Sequence, residues 1–440
     1  MKLRVRRIAE ILAGHSALCL LLLTACGPKP PARTALYGNL AELKRDIQSA
    51  QQAGKLNQDA VVDLAQAVAE RELASAQGEN GALRIRSLRS CSRPLRPAIE
   101  RRARAEDAVA AELTLILLEM HAADKTALLN RYARAESGAW RAVAARAADR
   151  PIDTDLRRAF FVDPDERVRR AAFASALSVR DASELEALLE AARVDPNPQS
   201  QSLAIVAAGA IGGERAVLAL KDLWVKADDP SRIAIVDAWT EPASFAAGGA
   251  RELALAAETG GRLAAVSASY ALSRAGGADS AVANARLRRD ILDGSDDEKR
   301  LALSVAPIDS ETETALAKAS KEASLELRVL ALTRLLSVDA RRSDALRALR
   351  EIANAKASSE SELHAQGAAQ SALAQAGDTS VSATLVKNLR DPALEIRSRA
   401  ARGLTRLGDY SNAATALADD DVNLRSEVAC LVLARASAPR

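Results

Sequence analysis

The sequence predicts an all-α protein, an α-solenoid of about ten short helical hairpins. Three observations predict it. Asp-Pro turns recur near one period: Asp163-Pro164, Asp195-Pro196, Asp229-Pro230 and Asp391-Pro392 follow one another by 32, 34 and 162 residues, the last gap being close to five periods of about 32. Apolar residues between the turns keep a helical step, and no period-2 alternation marks a strand. Hydrophobic residues make up 48% of the chain but aromatic ones only 2%, so the apolar surface is Ala, Leu and Val, small enough for close helix stacking. At 440 residues one compact core would be unusual, and stacked units remove that difficulty.

Residues 385–408 show the unit most clearly. Val381, Leu385, Val386 and Leu389 mark one apolar face. Asp391-Pro392 reads as the end of that helix and the start of the next. The Asp carboxylate would accept first-turn N–H groups, and Pro loses nothing where the N–H has no partner. Ile396, Ala400, Leu404 and Leu407 form a second stripe, which Gly408 ends. An Arg follows the turn acid by six residues at Asp163/Arg169, Asp391/Arg397, Asp419/Arg425 and Glu322/Arg328. Gly212-Gly213, Gly276-Gly277 and Gly377 repeat the helix-ending glycine.

An acidic turn, then Val-Arg, then an Ala-rich run ending in Leu-Gly resembles the bacterial type of HEAT repeat. Residues 163–177 and 391–408 follow that pattern closely, 323–336 and 420–433 less so, and the units near Asp229, Gly260 and Ser295 lack the Arg. The resemblance covers residues 124–437 and implies a right-handed superhelix whose second helices line a concave surface. Its motifs speak to fold and hardly to function.

Residues 1–25 read as a signal peptide: MKLRVRR is a positive start, an apolar run follows, and Leu23-Thr24-Ala25-Cys26 resembles the bacterial lipobox. The resemblance implies cleavage before Cys26 and acylation of its sulfur, and several acyl chains anchor stably. Gly27, in place of an inner-membrane retention Asp, implies the periplasmic face of the outer membrane. Residues 26–35 form a lipidated, Pro-rich tether, and 36–123 an N-terminal helical cap region. Its first pair of helices is marked by Leu40, Leu43 and Ile47, then by Val61, Leu64, Val68 and Leu73. Arg84, Arg86, Arg89, Arg93 and Arg96 form either a basic patch for head groups or an acidic partner, or a solvated helix face. Pro94 and Pro97 are expected to break that helix, and a long helix is expected between Pro97 and Ala122.

The formal charge of +3 equals that of the leader, whose Lys2, Arg4, Arg6 and Arg7 face only Glu10, so the mature chain is neutral. With few aromatic stacking platforms, nucleic-acid binding is not expected. His121 and His364 are isolated and no cysteine pair is spaced for zinc, so no metal, no cofactor and no catalytic set is expected. Cys91 and Cys430 are expected to be unpaired. They lie near opposite ends of the array, whereas a disulfide needs Cα atoms within about 7 Å. The Arg side chains around Cys91 would lower its thiol pKa, and Cys430 reads as a small core residue. Asp419-Asp420-Asp421 reads as a helix cap and Trp140, Trp224 and Trp239 as packing residues. Arg169, Arg397 and Arg425 either meet a partner or bond turn acids in a ladder, the latter being preferred. The functional expectation is a monomeric, lipid-anchored, non-enzymatic scaffold for a protein or peptide. The alternatives are an envelope-tethering lipoprotein or an enzyme of the HEAT-like lyase type.

Overall fold

The computed structural model describes residues 31–437; the expected signal peptide, Cys26 and residues 27–30 of the expected tether lie outside the described residues. Helices connected by short turns make up the protein, with no strand among the described residues. The chain divides into two compact units. Of the described residues, one holds 31–76, Leu83–Ile99 and 382–437; the other holds Gln77–Ala82 and Glu100–Val381.

In the larger unit, helices pair along the sequence. Thr154–Phe161 packs on Glu166–Val179, Leu185–Val194 on Pro198–Ile211, and Ser310–Glu322 on Leu325–Leu335. The second helices also pack on one another in sequence order: Gly138–Ala147, Glu166–Val179, Pro198–Ile211, Asp229–Thr240, Arg262–Ala275, Asp296–Val305, Leu325–Leu335 and Glu360–Gln375. Small residues make this possible. Ala172, Ala204, Ala264 and Ala369 are fully buried. A Cβ added to Gly209 would stand 2.4 Å from that of Ala238, so only Gly fits this crossing. The few aromatics fill wider gaps, as where Phe161 and Phe173 meet at 5.1 Å. An extra link, 241–249, separates Thr240 from the next helix. It contains a π-turn with Gly248 at φ 115° and is pinned by Ser244 Oγ donating to the Gly209 carbonyl at 2.7 Å. It leaves the period intact: helices Asp229–Thr240 and Arg262–Ala275 start 33 residues apart, and Arg262–Ala275 and Asp296–Val305 start 34 apart.

In the other unit the first helices meet the last. Leu40–Gln52 starts with a capping box between Asn39 and Glu42, and Gln58–Ser75 follows it. Gln58–Ser75 packs on Val422–Ala436, which also packs on Leu394–Leu407. The expected cap hairpin thus covers the C-terminal hairpin.

Two expectations about the Arg-rich segment are corrected. Helix Ser92–Arg102 runs through both prolines. Pro94 sits in the first turn, where no N–H bond is lost, and buried Leu95, Ala98 and Ile99 hold the helix across Pro97. The long helix expected between Pro97 and Ala122 is two helices, Ser92–Arg102 and Ala108–Glu119. Asp107 separates them: it caps the second by accepting from Ala110 N at 2.8 Å, and Arg102 holds its carboxylate at 2.7 Å.

Candidate functional site

The Arg residues six positions after Asp163, Asp391 and Asp419, but not Arg328 after Glu322, make one repeated construction. Arg169 Nη1 donates to the Asp163 carbonyl of its own turn at 2.8 Å, while Nε and Nη2 grip the Asp195 carboxylate of the next turn at 2.8 and 3.1 Å. Arg397 does the same between the Asp391 carbonyl, at 3.0 Å, and the Asp419 carboxylate, at 2.9 and 3.2 Å. Arg141 joins the Ala135 and Glu136 carbonyls to Asp163. Arg425 holds the Asp419 carbonyl at 2.7 Å but has no following turn. It reaches Glu72 of helix Gln58–Ser75 instead, at 2.9 Å. Arg141 and Glu72 escaped the sequence reading. Arg141 has no Asp-Pro turn before it, although it stands 28 residues ahead of Arg169; Glu72 carries no signal at all.

This construction revises the expected role of the Asp-Pro acid. Asp163 and Asp391 are not helix caps: helix Glu166–Val179 is capped by Asp165, and Leu394–Leu407 is preceded by Ala393. Each Asp bends its turn by accepting the N–H two residues on, at 2.8 Å for Asp163 and 2.9 Å for Asp391. That leaves the rest of the Asp163 carboxylate for the guanidinium of the preceding hairpin. The 419–421 triplet divides the same labour. Asp419 takes Arg397, Asp420 takes Lys44 at 2.7 Å, and Asp421 caps helix Val422–Ala436.

The bonds are bidentate and largely desolvated: the Asp195 side chain is 2% exposed and its Arg169 partner 10%. Donating to the Asp195 carboxylate raises the Arg169 pKa, and donating to that of Asp419 raises the Arg397 pKa. Burial pushes the Asp163 carboxyl up, but the bonds from Arg141 and the Asp165 amide outweigh it, so it lies below its ordinary value. Arg169, Arg397 and Arg425 are therefore committed to rungs between hairpins. A further pair, Arg157 and Glu184, is wholly buried with Nε to Oε1 at 2.8 Å; burial pushes the Glu184 carboxyl up, partly offset by Arg157. Sequence gave no sign of it.

Cys91 and Cys430 form a disulfide, with Cα atoms 5.1 Å apart across 339 residues of sequence. The expectation of unpaired cysteines fails because it placed the two ends of the chain apart. Residues 86–91 instead pack on helix Val422–Ala436, and both cysteines are buried there. Cys91 is accordingly no reactive thiol. The same segment carries the predicted basic residues: Arg86, Arg89, Arg93 and Arg96 are exposed and Arg84 half-buried, alongside buried Ile85, Leu88, Leu95 and Ile99. Arg84, Arg86, Arg89 and Arg96 each engage a partner.

Trp140 and Trp239 are buried, and Trp224 packs beside Trp239 with centroids 5.4 Å apart. His121 and His364 are exposed. Among the described residues no group of three or more His, Cys, Asp or Glu could hold a metal ion, and no helix is long and apolar enough to cross a membrane. No protein-family model matches the chain, and no curated protein matches it.

Proposed function

We propose that the protein is a lipid-anchored scaffold on the periplasmic side of the outer membrane, built as an α-solenoid of about ten HEAT-like hairpins spanning residues 124–437, whose second helices hold a protein or peptide. The observation that carries this reading is the succession of second helices in the larger unit, from Gly138–Ala147 to Glu360–Gln375, each packed on the next. Solvent-facing side chains bridge neighbours at two places along that row: Arg170 donates to Gln199 at 2.7 Å, and Arg300 meets Glu326 at 3.4 Å. The rungs support the assignment of the period, since Arg169 and Arg397 each span one. Export is supported by the disulfide, because buried disulfides belong to oxidising compartments. The lipobox-like Leu23-Thr24-Ala25-Cys26 supports the anchor.

Crosslinking in the envelope, followed by purification and mass spectrometry, tests the scaffold. One stoichiometric protein partner supports it; cell-wall material without a discrete protein contradicts it. Cys26→Ala tests the anchor: the protein is expected in the soluble periplasmic fraction, and continued partition with membranes contradicts acylation.

A further inference from the structure

Helix Ala32–Tyr37 is the first described helix and begins six residues after Cys26. Its inward side is fixed within its own unit. Ala32 and Ala35 are buried, Thr34 Oγ1 donates to the Asp46 carboxylate at 2.6 Å, and Arg71 Nη1 donates to the Ala35 and Gly38 carbonyls at 3.3 and 3.0 Å. The Asn39 capping box then starts the following helix. Six residues are too few to hold a helix alone, so these contacts set its orientation. Its outward side carries Arg33 and Tyr37, both exposed and four residues apart, which puts them on one face. Tyr37 differs from every other aromatic side chain here. The chain has four Tyr, four Phe and three Trp, all among the described residues; the others are buried or half-buried, whereas Tyr37 is 80% exposed. Among the described residues its ring meets no other ring or guanidinium, and Arg33 has no carboxylate partner. A large ring held firmly in water forgoes the gain of burial.

We infer that the Arg33 and Tyr37 face lies against the phospholipid head groups of the membrane that holds the anchor. The inference rests on the lipid anchor of the proposed function. An extended chain spans only about 20 Å over the six residues from Cys26 to Ala32, so an acylated Cys26 keeps this helix beside the head groups. Tyr37 offers a ring to the apolar side of the interface and a hydroxyl to the wet side. Arg33 offers a fork of donors to a lipid phosphate. Two side chains are too weak to recruit the protein by themselves, but a short tether supplies the high local concentration that makes them effective. The face fixes which side of its unit meets the membrane, where acyl chains alone would leave the body free to turn.

The lipidated full chain carrying Tyr37→Trp, reconstituted in vesicles of phosphatidylethanolamine and phosphatidylglycerol, tests this. Emission is read as the difference from the native sequence, so that Trp140, Trp224 and Trp239 cancel. The emission added at position 37 shifts to shorter wavelength on reconstitution and is quenched when the lipid acyl chains are brominated. Arg33→Glu in the same background removes the shift and the quenching, and Arg33→Lys keeps most of both. Both positions are exposed, so these variants fold, and unchanged circular dichroism checks it. Protein that floats with the vesicles but shows neither shift nor quenching at position 37 overturns the face and leaves the anchor standing. Quenching that Arg33→Glu leaves intact also overturns the face as a joint work of the two residues. Native protein that does not float with the vesicles overturns the anchor, and the face with it.

Discussion

The turns at residues 135–195 and 391–425 differ from those between 201 and 366 in where one side chain reaches. In the first set Arg141, Arg169, Arg397 and Arg425 reach forward to an acid of the next packed helix pair. In the second set the corresponding side chain turns back into its own hairpin. Gln201 donates to the Ala192 carbonyl at 2.8 Å, Arg328 to that of Ser320 at 3.2 Å, and Gln366 to that of Ala355 at 2.8 Å. Arg232 bonds the Trp224 carbonyl at 3.4 Å and stacks on its ring. A rung needs both a cation and an acid one hairpin on. Gln201 and Gln366 carry no charge, and the turn after Arg232 is Gly260-Gly261. The same position thus joins hairpins where both partners exist and braces a single hairpin where one is missing.

Experiments that break this contrast are ordered by expected effect. Reducing the disulfide, or replacing Cys91 and Cys430 by Ala, removes the covalent tie across the longest loop and lowers unfolding free energy by about 4 kcal/mol, read by denaturant titration. Arg169→Gln strands the desolvated Asp195 carboxylate and costs about 3 kcal/mol in the same assay. Gln201→Ala removes one neutral hydrogen bond and costs about 1 kcal/mol. Equal losses at Arg169 and Gln201 would abolish the distinction between the two sets.

Acid sharpens it further. Asp163 is held below its ordinary pKa, and Asp181 is held at about 2, chiefly by the Thr154 hydroxyl at 2.6 Å. A carboxyl depressed in the folded state contributes stability above its unfolded pKa, and that contribution is lost as pH falls through the folded value. The melting temperature is therefore expected to fall between about pH 4 and 2. In Thr154→Val the part due to Asp181 should shrink to what the Ser183 bonds sustain; an unchanged acid limb would contradict that cause.

Helices and their turns were legible because the apolar step and the Asp-to-Arg spacing of six are local. At Asp391/Arg397 and Asp163/Arg169 that spacing marked the residues that make rungs and the ladder between turn acids and Arg side chains, though not that the Asp would leave its own helix without a cap from itself. Glu72 and the Cys91–Cys430 pair were illegible for one physical reason. They depend on the first helices packing on the last, a contact that no periodicity within the chain encodes. Around Gly260 the pattern weakened through its chemistry, since the turn after Arg232 is Gly260-Gly261 and carries no acid, while the spacing of the helices held.

The central claim is that turn guanidiniums clamp each hairpin to what packs after it, and that helix Gln58–Ser75 takes that place for the final hairpin. A double-mutant cycle on Arg425→Gln and Glu72→Gln, measured by equilibrium unfolding with the disulfide intact, tests it most directly. The account predicts a coupling of about 2 kcal/mol between the two sites. Losses that add to within about 0.5 kcal/mol would contradict it.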